Sequence, residues 1–102
     1  MVADLLALYV DHNSRERLAN GGQATFIPFG RANPVSLLDQ MKIGLAVCLY
    51  DEDIRCVAVA RKSWSGDEWV AEIVEGTVTQ LRRGEFENLV AKTKRAALRV
   101  VD

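Results

Sequence analysis

The sequence predicts an α+β protein, with a small, strongly bent antiparallel sheet or partial β-barrel of about five strands, one short internal helix and a C-terminal amphipathic helix. Two observations lead to this prediction. Apolar runs at residues 45–50 and 54–60 flank a charged turn at 51–53, which indicates a β-hairpin with two apolar faces. From residue 85 onwards, apolar side chains recur at helical spacing, and we place a helix at residues 85–101.

The chain of 102 residues fits a single domain, which we divide into a sheet over residues 5–81 and the C-terminal helix. Hydrophobic residues make up 49% and charged residues 26% of the chain, as in ordinary globular proteins. The apolar runs are far too short to cross a membrane, and the first residues lack the basic region of a signal peptide. We therefore expect a cytoplasmic protein that does not associate with membranes.

Two strands are predicted before the hairpin. Residues 5–10 form a short apolar run that ends in a polar cluster at 11–14, which favours a buried strand followed by a turn. A helix over residues 2–19 is the alternative, because Leu and Ala are good helix formers. Residues 23–29 predict a second strand, which lies at a sheet edge or ends at Pro28, since proline cannot donate to a β-ladder.

Asn33 and Pro34 predict the start of the short internal helix. Asn33 can accept hydrogen bonds from the free N–H groups of the first turn, and Pro34 suits the first helical position. Gly44 is expected to end this helix after about two turns.

The register of the hairpin follows from the position of its turn. A turn centred on Glu52 pairs residues whose numbers sum to 104, so that Cys48 lies opposite Cys56. Large branched side chains then share one face, and small ones share the other. The branched face holds Leu45, Val47, Leu49, Val57 and Val59. We expect that face to form the barrel core and the C-terminal helix to cover the small-residue face, with a subunit interface as the alternative cover.

The hairpin is extended by a third strand. Residues 69–74 alternate in the manner of a strand and complete an antiparallel meander over about residues 43–75. Residues 77–81 predict one more short strand.

The two cysteines are the first candidates for chemistry. In the expected register Cys48 and Cys56 lie within reach of a disulfide, although a chain of this composition needs none to fold. Their spacing is not that of a zinc site, and the single histidine elsewhere does not complete one. We interpret both cysteines as small buried apolar residues, with a disulfide or a metal or redox role as the alternatives.

The only histidine, His12, lies beside Asp11 and Ser14. A catalytic histidine needs an orienting partner and a nucleophile that converge in space, which sequence proximity does not establish. These residue types are also typical of turns. We therefore interpret the segment as a turn, and we predict no catalytic residue, no cofactor and no bound metal.

Basic and aromatic side chains supply the candidate contact surface. Trp64 lies in a glycine-containing turn just after Arg61 and Lys62, a combination that can stack bases and hold phosphates. Residues 82–102 carry six basic and three acidic side chains, a distribution that suits either the helix dipole or an acidic partner. The candidate contact residues are Arg61, Lys62, Trp64, Lys92, Arg95 and Arg99.

Several short motifs together resemble a group of small uncharacterised bacterial β-barrel proteins. The motifs are LYVDHNSR at residues 8–15, Gly44, LYD at 49–51 and WVA at 69–71. The resemblance covers residues 5–75 and implies a short β-barrel, whereas the C-terminal helix departs from the usual shorter form. It implies no activity. Proteins of this kind are often carried on mobile gene cassettes.

The function expected from these observations is a non-catalytic binding or adaptor module that self-associates, with a dimer as the simplest homo-oligomer. The two apolar faces of the hairpin favour self-association, because a large exposed apolar face needs a cover. A nucleic-acid-binding protein that uses the basic C-terminal helix and the Trp64 loop is the alternative. A small enzyme of unknown reaction is the third possibility.

Overall fold

A computed structural model describes residues 5–12, 15–17, 23–30, 32–63 and 65–98. These residues form seven strands, one 3-10 helix and one α-helix. The strands are β1 (Leu6–Tyr9), β2 (Arg15–Arg17), β3 (Gln23–Phe26), β4 (Ala46–Tyr50), β5 (Ile54–Lys62), β6 (Trp69–Ile73) and β7 (Thr79–Gln80). The 3-10 helix spans Val35–Gln40, and the α-helix α1 spans Glu85–Leu98.

The described strands form one mixed sheet in the order β1-β4-β5-β6-β3-β2, with β7 paired to the start of β5. The α+β class is therefore confirmed. The expectation of an all-antiparallel sheet is wrong, because β1 runs parallel to β4, and parallel strands need a long crossover such as residues 10–45. The sheet is not closed into a barrel, because β1 and β2 lie at opposite ends of its strand order.

Most of the predicted elements are confirmed. Strand β1 replaces the alternative helix over residues 2–19, and β4, β5 and β6 form the expected antiparallel meander. Strand β3 ends before Pro28 and pairs with neighbours on both sides, so it is not an edge strand. Strand β2 was not predicted. Helix α1 matches the predicted helix up to Leu98, and the rest of that prediction lies outside the described residues.

The predicted hairpin register is wrong by one residue. Residues whose numbers sum to 105 are paired, so Cys56 lies opposite Leu49 and Cys48 opposite Val57. The turn is centred between Glu52 and Asp53, because the Asp51 N–H donates to the carbonyl of Ile54 at 3.0 Å. A shift of one residue moves side chains to the other face, so the predicted separation into a branched and a small face is also wrong.

The two sheet faces consequently differ from the prediction. The face that carries Leu8, Leu49 and Cys56 forms the core, which also receives Leu37 of the 3-10 helix and Met41. Both cysteines are free thiols, and they lie on opposite faces of the sheet. The alternative of a disulfide between them is therefore excluded.

Helix α1 packs against β1, at one end of the sheet. Beside the helix, Tyr50 is buried, and its hydroxyl donates a hydrogen bond to the hydroxyl of Thr93 at 2.9 Å. Ala46, at the other end of β4, is exposed. The C-terminal helix thus covers only part of the face that we expected it to cover.

Side chains satisfy the free edge of β1. The Tyr9 N–H donates to Asn33 Oδ1 at 2.8 Å, and Asn33 Nδ2 donates to the Tyr9 carbonyl at 2.8 Å. Thr93 donates to the carbonyl of Ala7 at 2.7 Å. The expected capping role of Asn33 is wrong, because the 3-10 helix begins after Pro34 without a side-chain cap. The Asn33 amide instead bonds Tyr9 as a neighbouring strand would, which protects the edge and fixes Tyr9 in place.

Candidate functional site

Two groups of side chains meet where β1 and β4 end. The first, here called the aromatic pocket, surrounds a cavity of about 260 Å³. Its lining residues are Tyr9, Ala32, Tyr50, Glu52, Phe86, Val90, Thr93 and Lys94. The second group, the Cys–His–Asp relay, consists of Cys56, His12 and Asp51.

Three rings form the walls of the aromatic pocket. The parallel register places Tyr9 beside Tyr50, and the first turn of α1 brings Phe86 against both. The ring centroids lie 5.7 Å apart for the tyrosine pair, and Phe86 lies 6.4 Å from Tyr9 and 6.0 Å from Tyr50. The interplanar angles of 68° to 79° make the rings nearly perpendicular to one another, an arrangement that aromatic quadrupoles favour.

The hydroxyl groups of the aromatic pocket are already engaged. The Tyr50 hydroxyl bonds to Thr93 at 2.9 Å, and the hydrogen of Thr93 is directed to Ala7. The Tyr9 hydroxyl donates to Glu52 Oε2 at 2.7 Å. A ligand would therefore meet mainly hydrocarbon and ring surface, together with the exposed charges of Glu52 and Lys94.

The electrostatic potential at the mouth of the pocket is negative around Tyr9. The hydrogen bond to Glu52 raises the pKa of Tyr9 to about 12, with smaller contributions from burial and from the charges of Glu52, Asp51 and Asp11. All of these carboxylates disfavour the negative charge that deprotonation would place on the phenol oxygen. The same potential favours a cation.

The relay lies on the other face of the sheet. His12 Nδ1 lies 2.8 Å from Asp51 Oδ2, and His12 Nε2 lies 3.9 Å from Cys56 Sγ. Solvent exposure increases along the relay, from 2% for Cys56 to 9% for His12 and 19% for Asp51. In the neutral ring, an Nδ1–H held by the Asp51 carboxylate leaves the Nε2 lone pair directed at the thiol. The thiol of Cys56, the imidazole of His12 and the carboxylate of Asp51 are therefore arranged in space as a nucleophile, a base and an orienting group.

Asp51 both shapes the hairpin turn and orients the imidazole. Its Oδ1 accepts the N–H groups of Asp53 and Ile54 at 2.7 Å and 2.9 Å, while its Oδ2 faces His12. Burial by itself would raise the pKa of Asp51, but the hydrogen bonds from Ile54, Asp53 and His12 outweigh it and lower the pKa below its usual value. The carboxylate is thus held in its charged form.

His12 lies in a turn and Cys56 is buried, as we interpreted them, and the relay adds partners that proximity in the sequence does not indicate. Asp51, rather than the neighbouring Asp11 or Ser14, approaches the imidazole, and it does so across the β1–β4 pair. Cys56 is indeed buried in the core, but it also contacts the imidazole. Cys48 is half-buried, and burial raises the pKa of its thiol.

The structure places most of the predicted contact residues on two elements, strand β5 and helix α1. Arg61 pairs with Glu72 at 3.5 Å, and the Lys62 ammonium lies 4.2 Å from the centroid of the Trp69 ring. Lys92 and Arg95 lie on α1, which packs at the β1 end of the sheet. Trp64 and Arg99 lie outside the described residues.

Comparisons with protein families, with curated proteins and with solved structures found no match to this chain. Among the described residues, no three His, Cys, Asp or Glu side chains are arranged to hold a metal ion. None of the helices within the described ranges is long and apolar enough to cross a membrane.

Proposed function

We propose that this protein is a non-catalytic binding module whose aromatic pocket accepts an alkylated ammonium group. One observation carries the proposal: three nearly perpendicular rings line a cavity beside the carboxylate of Glu52. Cations are attracted to the negative faces of aromatic rings, and groups of such rings bind quaternary ammonium ions. A negatively charged rim adds to the attraction.

The balance of charge favours a cation over an anion. The carboxylates of Glu52, Asp51 and Asp11 act on Tyr9, whereas Lys94 is the basic residue that lines the pocket. Glu52 and Lys94 are both exposed, so water and salt screen both charges, but the carboxylates of Asp51 and Asp11 add to that of Glu52. A neutral polar ligand gains little, because the tyrosine hydroxyls are already engaged.

The volume of the pocket limits the ligand to a head group. A cavity of about 260 Å³ is smaller than the roughly 300 to 1,000 Å³ typical of sites for drug-sized molecules. A trimethylammonium group with a short stem fits that description. The same chemistry occurs on free small molecules and at the end of a methylated lysine side chain, so the proposal covers both sources.

A pair of matched probes tests the proposal. Choline carries a trimethylammonium group, and its carbon isostere carries an uncharged tert-butyl group of the same shape. We expect choline to bind the isotopically labelled protein about tenfold more tightly than the isostere in an NMR titration at low salt. Equal binding of the two, or no saturable binding of choline, would contradict the proposal. A trimethyllysine peptide, titrated in parallel, distinguishes a protein partner from a free ligand.

Two charge-removing variants sharpen this test. Glu52→Gln is expected to weaken choline binding about fivefold, whereas Lys94→Gln is expected to strengthen it, because the two charges have opposite signs at the same cavity. Binding of the uncharged isostere should be the same in both variants. If the two variants change choline affinity in the same direction, charge at the rim does not select the ligand.

The nucleic-acid alternative and self-association remain predictions. Arg61 and Lys62 already contact Glu72 and Trp69, so phosphate would have to compete with both contacts. Retention on DNA or RNA at low salt, lost steeply as salt rises, would support a nucleic-acid interface. Solution mass measured by light scattering tests self-association.

A further inference from the structure

We propose that Cys56 is an oxidant-sensitive thiol, which the relay makes reactive towards hydrogen peroxide or a peroxide of similar size. This inference goes beyond the proposed binding function, because none of the relay residues lines the aromatic pocket. It rests on the geometry of Cys56, His12 and Asp51 and on their stepwise exposure. A thiolate, rather than a thiol, is the reactive form of cysteine.

The relay provides a route for the proton of a thiol that is itself almost fully buried. His12 Nε2 can accept the Sγ–H proton, while the Asp51 carboxylate holds the opposite nitrogen in its protonated form. The imidazolium that results is stabilised by the adjacent carboxylate. Cys56 can therefore be deprotonated without being exposed to bulk water.

The burial of Cys56 selects the oxidant. With 2% of its surface exposed, the residue is closed to bulky electrophiles in the folded state. Hydrogen peroxide has only two heavy atoms and needs a smaller local opening, which costs less free energy than one that admits a larger reagent. His12 is the more exposed member of the contact, and a small movement of its ring would admit such a molecule.

The reaction balances without any further reactant. Sγ attacks one peroxide oxygen, the O–O bond breaks, and the departing hydroxide takes the proton held by His12 and leaves as water. The thiol and one peroxide thus give one sulfenic acid and one water, with the sulfur oxidised and the peroxide reduced. A covalent S–O bond followed by an O–H···N hydrogen bond spans about the same gap as the present contact of 3.9 Å, so His12 can hold the product.

The product has no cysteine to react with inside the described part of the chain. Cys48 lies on the opposite face of the sheet, because the register pairs it with Val57 and pairs Cys56 with Leu49. A disulfide between the two would require one side chain to cross the sheet. We therefore expect the sulfenic acid to persist until an external thiol reduces it or further peroxide oxidises it.

The two cysteines provide an internal control. The native wild-type protein is treated with a small excess of hydrogen peroxide, the sulfenic acid is trapped with a specific nucleophile after rapid unfolding, and each cysteine is quantified by mass spectrometry. We expect Cys56 to be oxidised about tenfold faster than Cys48, although Cys48 is the more exposed residue. Faster oxidation of Cys48, or oxidation of Cys56 only at the rate of global unfolding, would overturn the proposal.

Two variants test the relay itself. His12→Gln removes the base, and Asp51→Asn retains an oxygen for the turn N–H groups of Asp53 and Ile54 while offering His12 a donor. The asparagine favours the tautomer of His12 that carries its proton on Nε2, and this nitrogen cannot then accept the proton of the Cys56 thiol. Both variants should slow oxidation of Cys56 at least about tenfold and leave Cys48 unchanged. An unchanged rate at Cys56 in folded Asp51→Asn would contradict a role for the relay.

Discussion

The aromatic pocket and the Cys–His–Asp relay lie on opposite faces of the sheet, and they use polar atoms in opposite ways. The hydroxyls of the pocket bond to neighbouring protein groups, so the pocket offers shape, ring surface and an electrostatic field. In the relay, the carboxylate of Asp51 contacts one nitrogen of His12, and the other nitrogen faces the sulfur atom of Cys56. The pocket is therefore suited to recognition, and the relay to proton transfer.

The hairpin turn accounts for this division. Tyr50, Asp51 and Glu52 follow one another in the chain, yet Asp51 contacts His12 of the relay whereas Tyr50 and Glu52 line the pocket. Strand alternation sends neighbouring side chains to opposite faces, so a single turn can serve both sites. Substitutions that disturb one site and spare the other test whether the two are independent.

The largest effect is expected from Asn33→Ala, which should disturb both sites. Asn33 is fully buried and holds the backbone of Tyr9, so its removal leaves buried polar groups of β1 without partners. We expect the free energy of unfolding to fall by about 3 kcal/mol, measured by urea denaturation. The exposed Ser36→Ala substitution serves as the control, and it should change stability by less than about 0.5 kcal/mol. Equal stability of the two variants would show that the edge of β1 does not depend on Asn33.

A smaller effect, confined to the pocket side, is expected from Thr93→Val. The valine retains the shape of threonine but leaves the Tyr50 hydroxyl and the Ala7 carbonyl without their partner. The free energy of unfolding should fall by about 2 kcal/mol, whereas Thr93→Ser, which keeps the hydroxyl, should lose about 1 kcal/mol. Oxidation of Cys56 in the folded protein should be unaffected. A large change in that rate would show that the two faces are coupled.

Glu52→Gln should change a pKa on the pocket side without a large change in stability at neutral pH. Loss of the carboxylate removes the main cause of the raised value, so the pKa of Tyr9 should fall from about 12 towards the ordinary value of 10.0. The sign follows from linkage: Tyr9 contributes stability that is fully present below its unfolded pKa and is lost as pH rises through about 12. Tyrosine ring-carbon shifts measured during an alkaline NMR titration, with Tyr9→Phe for assignment, report the change.

The smallest effect concerns Asp51 on the relay side. Its pKa is lowered in the folded state, so its stabilising contribution is present above the unfolded pKa of about 3.9 and is lost as pH falls through the lower folded value. The stability difference between the wild type and Asp51→Asn should therefore shrink on acidification below about pH 4. A difference that stays constant down to pH 2 would show that the charge on Asp51 does not contribute.

The sequence was informative about elements and less informative about how they pair. Helix α1 and the β4–β5–β6 meander follow from local periodicity, which short segments report directly. The hairpin register depends on the bonds that Asp51 makes to Asp53 and Ile54, and turn residues alone do not specify it. A shift of one residue was enough to place the side chains of one strand of the hairpin on the opposite face relative to those of the other strand.

The two sites depend on pairings that are distant in the sequence, which explains why sequence analysis missed both. Tyr9 meets Tyr50, and His12 meets Asp51, only because β1 pairs in parallel with β4 through a long crossover. The signal that was present is the similarity of the two strand ends, each of which places a tyrosine before acidic residues. The roles of Asn33 and Thr93 as partners of the β1 edge carried no recognisable sequence motif.

The most direct test of two separate sites is chemical-shift mapping of the isotopically labelled wild-type protein during a titration with choline. We expect the largest saturable shifts at Tyr9, Phe86 and Val90, which line the pocket, and little change at His12 and Cys56. Absence of a saturable shift in the pocket would contradict the binding function. Equal shifts at His12 and Cys56 would contradict the independence of the two faces.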